Sequence, residues 1–238
     1  MQKPASWAQL SQWPTTKQNN SMDKKDNQFV IEGTIKALIS FIPGIGGAIG
    51  SILSDILADR KEQRVNDFLQ ALKDEISENK ERINSEFISK VDFLDVFEAT
   101  TIKIANERSE EKRNAFKNIL LTGILSPNYT YDDLENQMRI LEQLNESHIF
   151  LLRFFKSPKT FRPEVSQIRT STFLSFFRTL LPSWEYDYLK DHLNDLEINS
   201  LIENVSQNLQ TMMTNVTIDN FTATLTSRGA TFVSFILR

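Results

Sequence analysis

From Ala37 to Leu53 the chain runs for 17 residues without a charged side chain, with glycine at positions 44, 46, 47 and 50. Lys36 and Asp55 are the nearest charges on either side. A helix that spans hydrocarbon takes about 20 apolar residues, so this run is short for the task. Pro43 and Gly44 also divide it. Proline removes an amide donor, and each glycine raises the cost of helix by about 1 kcal/mol. The expectation is a hairpin of two short apolar helices (37–53) rather than one constitutive span. Its working residues would be Phe41, Ile42, Pro43, Gly44, Ile45, Gly46, Gly47, Ile49 and Gly50.

Glycine allows backbones to approach closely. Gly46 and Gly50 stand at the G-x-x-x-G spacing that lets two helices touch. Gly44, Gly47 and Gly50 recur at every third position as a second small-residue face. Two readings follow and stay open at this level. The hairpin is either a permanent part of a helical core, its glycines filled by a neighbouring helix, or it is stored in the fold and released to a bilayer. In the second case Lys36, Asp55 and Asp59 stay near the interface, where charge is tolerated. Phosphate-loop readings fail. Ile49 stands where a dinucleotide fingerprint needs glycine, and no Gly-Lys-Ser/Thr ending closes the run.

Residues 1–29 read as a flexible arm, rich in Gln, Asn, Thr and Lys, with Trp7 and Trp13 in it and Met22 as a second candidate start. From 30 to 126 the texture is helical. Val65, Phe68, Leu69, Leu72 and Ile76 follow helical spacing, as do Phe87, Val91, Leu94 and Phe97, and then Phe116, Ile119, Leu120 and Ile124. Pro127 ends that stretch, because the residue before proline is pushed out of the α region. Asp132 with Glu135 marks the next helix start. Helices through Leu134–Leu144, 147–155, 164–180 and 184–198 are expected next, then two short strands (208–215 and 219–226) and a last helix from Arg228. Helices followed by a hairpin and a closing helix are the parts of a winged helix. The fold class expected is therefore mainly α: an N-terminal helical bundle carrying the glycine-rich hairpin, then a winged-helix-like module over 132–238.

The chain has 27 basic and 31 acidic residues, a net charge of −4, which removes the general electrostatic case for nucleic acid. Locally the balance swings. Arg153, Lys156, Lys159, Arg162, Arg169 and Arg178 face a single acid, Glu164, and are the candidate partner or nucleic-acid contacts. From Glu185 to Asp219 seven acids face one base, Lys190. The helix that would enter a DNA groove is the acidic one and would repel phosphate, so a protein-binding or dimerising winged helix is preferred. Phe173, Phe176, Phe177 and Trp184 read as core.

With no cysteine and two histidines, His148 and His192, the chain has no metal-ligand spacing. Neither histidine has a partner in an H-x-x-x-H pattern, and no G-x-S-x-G elbow is present. Catalytic residues, metal and cofactor are assigned to none, and the chain is read as non-enzymatic.

Several stretches taken in order resemble the bacterial abortive-infection alpha proteins: Ile42 to Gly50, Arg60 to Arg64, Glu110 to Leu120, the Leu141/Leu144/His148 spacing, and Leu225 to Gly229 with Phe232. The resemblance spans about residues 30–238. It implies a cytoplasmic antiphage protein that kills or arrests the infected cell, and it brings no catalytic residues with it. The expected partners are a second copy or a defence-system protein, with the inner membrane engaged on activation.

Overall fold

The computed structural model describes residues 33, 34, 36–40, 42, 44–55, 59–126, 128–161, 172–203, 205, 209 and 224–237. The arm 1–29 and most of the expected strands 208–215 and 219–226 lie outside them. Among the described residues the fold is mainly helical, and extended backbone pairs at a single antiparallel bridge, Ile202 to Leu225.

The helices in chain order are α1 (Ile45–Asp55), α2 (Asp59–Glu78), α3 (Ser85–Ile88), α4 (Val91–Asn106), α5 (Glu110–Leu125) and α6 (Tyr131–Gln143). After them come α7 (Glu146–Lys156), α8 (Pro158–Phe161), α9 (Phe173–Leu180), α10 (Tyr186–Ile198) and α11 (Ser227–Ile236). A helical stretch over 36–40 precedes α1.

α4 and α5 form the centre. α4 packs against α1, α2, α3, α5 and α6, while α5 packs against α2, α3, α4, α6 and α11. Both therefore bury side chains over a wide arc. On α5 these are Ala115, Phe116, Ile119, Leu120, Leu121, Ile124 and Leu125, with Gly123 among them. Two threonines sit fully buried on α4. Thr100 and Thr101 donate their hydroxyls to the carbonyls of Val96 and Phe97 one turn back (2.7 and 2.8 Å), so their burial leaves no polar group stranded.

The stripe Val65, Phe68, Leu69, Leu72, Ile76 on α2 is buried throughout. The stripe expected through Phe87, Val91, Leu94 and Phe97 is not one face. α3 ends at Ile88, and Lys90 adopts extended backbone (ψ 149°) as the residue before α4, so the chain restarts a helix there. Val91 is consequently 73% exposed. The buried face of α4 is carried instead by Phe93, Val96, Phe97 and Ile104, with the two threonines.

The cap of α6 lies two residues earlier than Asp132, at Thr130. Thr130 Oγ1 accepts from the amide of Asp133 (3.2 Å) and the Asp133 carboxylate accepts from the Thr130 amide (2.8 Å). This is a capping box built on Thr130 and Asp133.

The C-terminal helix α11 returns to the centre, packing on α5 and α7. Asn118 of α5 donates to the carbonyl of Ile236 (3.0 Å) and Lys156 of α7 to that of Leu237 (3.3 Å). These bonds satisfy carbonyls that the end of a helix leaves open. One continuous buried cluster accordingly runs from Leu38 to Ile236.

Of the described glycines, Gly229 at the entrance to α11 lies closest to neighbouring backbone. Thr226 caps the helix through Gly229 N–H (2.8 Å), and the Thr226 amide donates to the Leu201 carbonyl (3.1 Å). A Cβ on Gly229 would overlap that same carbonyl oxygen. Backbone cannot step aside as a flexible side chain can, so Gly229→Ala should cost about 3 kcal/mol, the upper range for overpacking. The midpoint of urea unfolding measures it, and an unchanged midpoint would refute this reading of the contact.

Candidate functional site

The glycine-rich hairpin lies at the edge of the bundle. Its turn is made at Gly44, whose φ of +85° is the left-handed region that glycine enters without a Cβ penalty. The Ile42 amide donates to Leu38 (2.8 Å) to close the first stretch, and Gly47 to Gly44 (3.2 Å) opens α1. Leu38, Ile42, Ile45 and Ile49 are buried, with relative exposures of 0–1%. α1 rests on α4, where Leu94 sits beside Gly44. Thr34 ties the preceding turn to α2 by donating to Gln70 (2.7 Å). Phe41 and Pro43 fall outside the described residues.

The glycines do not serve the contact expected of them. Among the described residues nothing lies within 4 Å of a Cβ built on Gly47 or Gly50, and both positions are exposed. At Gly46 the nearest atom is the tip of Ile39 (2.7 Å), itself 43% exposed. Among the described residues no helix therefore fills the Gly46–Gly50 pair. The physical reason is orientation: α1 turns its isoleucines to α4, which leaves the glycines on the opposite, outer side. The glycines that do need space are Gly123, where a Cβ would press on Leu134 and Phe87, and Gly229. Both lie outside the run.

The basic set is divided. Arg153 Nη1 pairs with Glu111 Oε1 at 3.1 Å, and Lys156 closes the end of α11 as described above. Burial holds the Glu111 carboxyl above its ordinary range, with Arg153 pulling the other way. Arg178 is exposed on α9. Arg162, Arg169 and the side chain of Lys159 lie outside the described residues. Two of the six expected contact residues thus hold the fold together, which weakens the case for one free basic surface.

Phe176 and Phe177 are core. They meet Phe154 and Phe155 at centroid separations of 5.8–6.4 Å in edge-on or tilted pairs, the geometry favoured by the ring quadrupole.

The two histidines, 44 positions apart in sequence, are stacked (4.5 Å between centroids, 30° between planes) where α7 meets α10. Their partners fix the tautomers. His148 Nδ1 accepts from the Asn145 backbone amide (3.0 Å), so its proton is on Nε2 and is donated to Asp195 Oδ2 (3.3 Å). His192 Nδ1 donates to the Tyr188 carbonyl (2.7 Å), and its Nε2 accepts from Asn145 Nδ2 (3.1 Å). Asn145 Oδ1 also caps α7, accepting from the amides of Ser147 and His148 (2.9 and 3.2 Å). Ser147 and Tyr188 share a hydroxyl hydrogen bond (2.7 Å), and Trp184 closes the group edge-on against Tyr188 (5.0 Å).

Every ring nitrogen in this cluster is therefore engaged with both rings neutral, and neither histidine has a lone pair left for proton abstraction or metal binding. Among the described residues no group of three or more His, Asp or Glu could hold a metal ion. Burial, with the neighbouring His192 and Lys112, lowers the His148 pKa to about 4 against the pull of Asp195. Sequence spacing alone missed the cluster. The signal was present in two pieces: His148 at the third position after a capping Asn145, and Tyr188, His192 and Asp195 at i, i+4, i+7.

Asn145→Ala removes a cap and the His192 donor together, and should cost about 2 kcal/mol, the top of the cap range. Asn145→Asp keeps the cap and loses only the donor, so thermal melting should place it between alanine and wild type. At Gly47 and Gly50, alanine should raise stability by about 0.5–1 kcal/mol each, since helix propensity changes and no neighbour is touched. A drop in melting temperature at either position would show a hidden contact.

No protein-family model matches the chain, and no curated protein or solved structure matches it.

Proposed function

We propose that the protein is a non-enzymatic, membrane-acting effector of bacterial antiphage defence, and that the hairpin 37–53 is its working part. One observation carries the reading: a charge-free hairpin sits on the edge of the bundle with Gly47 and Gly50 exposed and unfilled among the described residues. The resemblance to abortive-infection alpha proteins supplies the biological setting.

The energetics say what release demands. Moving the buried side chains of Leu38, Ile42, Ile45 and Ile49 into water costs about 6–12 kcal/mol in all, comparable to the stability of a whole domain. Release into water alone is therefore negligible. An apolar acceptor removes the cost, and the outward glycines suit a second helix at close range. A partner or a second copy that binds only the released state shifts the population toward it.

The hairpin does not cross the bilayer as it stands. No helix of the described residues is long and apolar enough to do so. α1, at 11 residues, is about 16 Å long against about 30 Å of hydrocarbon. The proposed form lies in the interface, isoleucines down, with several copies meeting through Gly47 and Gly50. The cytoplasm, and on activation the inner membrane, is the proposed location.

The C-terminal portion is proposed as a winged-helix-like module that binds a protein partner or assembles the oligomer. The bridge between Ile202 and Leu225, with the Glu203 amide donating to the Thr224 carbonyl (2.8 Å), supports a hairpin base between α10 and α11. The acidic surface of α10, bearing Asp187, Asp191, Asp195 and Glu197, disfavours nucleic acid there.

A second reading keeps the outward glycines and drops the lipid: an assembly protein whose copies meet through α1 in water. The short helix favours it. Dye release from vesicles containing acidic lipid separates the two. Under the first reading the wild-type chain releases dye, and Gly50→Leu, with unchanged circular dichroism, loses most of the release. Under the second, vesicles stay sealed and Gly50→Leu changes only the sedimentation of the oligomer. Equal release by wild type and Gly50→Leu would sink the membrane proposal.

A further inference from the structure

We draw no further inference here: the strongest candidate, the surface patch formed by the outer side of the hairpin and the α4 helix it packs on, where Ile39, Val91 and Ile102 are exposed, is an unpartnered apolar face, and nothing among the described residues shows what covers it.

Discussion

Close packing around α5 is the constraint on which the other helices depend. It lies between α4 and α11 and is also touched by α2, α3 and α6, and from Asn118 to Leu125 it carries no charge. Gly123 is part of the same constraint. Leu134 of α6 and Phe87 of α3 already occupy the space that a side chain there would need. The Asn118 bond to Ile236 then fixes α11 against the one remaining side of α5. Interiors packed to this density resist deformation, so elements that touch α5 move only at the cost of the whole core. Elements that do not touch it are freer.

How far the sequence spoke follows the same division. The α2 stripe was legible because its apolar period survives intact, and the Phe116–Ile124 stripe because it is part of the wider arc that α5 buries. The stripe through Val91 was misread because helical spacing continues across Ser89 and Lys90 even though the backbone breaks there, and a period cannot report a break between two in-phase helices. The glycine run was legible as a divided hairpin, since Pro43 and Gly44 act locally. Which way its glycines point was not, because orientation depends on α4, which the run's own spacing does not contain. The histidine cluster shows the same limit. His148 and His192 meet only after α7 and α10 pack, and each looked ordinary within its own helix.

The two features with most functional interest share a thermodynamic character. The hairpin is held by apolar contact on one helix, and release into water is prohibited by the area it would expose. The α7–α10 contact is held partly by hydrogen bonds whose strength depends on a protonation state. The first depends on apolar area alone, and the second also on donors and acceptors staying matched.

Neither α1 nor α10 is among the main neighbours of α5. α1 packs on α4, and α10 packs chiefly on α7, so the hub keeps α2, α3, α4, α6 and α11 when either end is displaced. Local opening draws on the elements with the fewest buried contacts, and a fold arranged this way concentrates its global stability in the middle while leaving its ends cheaper to open. That arrangement lets one chain be stable and still conditional. A hairpin threaded between α4 and α5 would have the same composition and the same glycines, yet its departure would unfold the protein. On the proposed reading, position at the edge matters more than the greasiness of the segment.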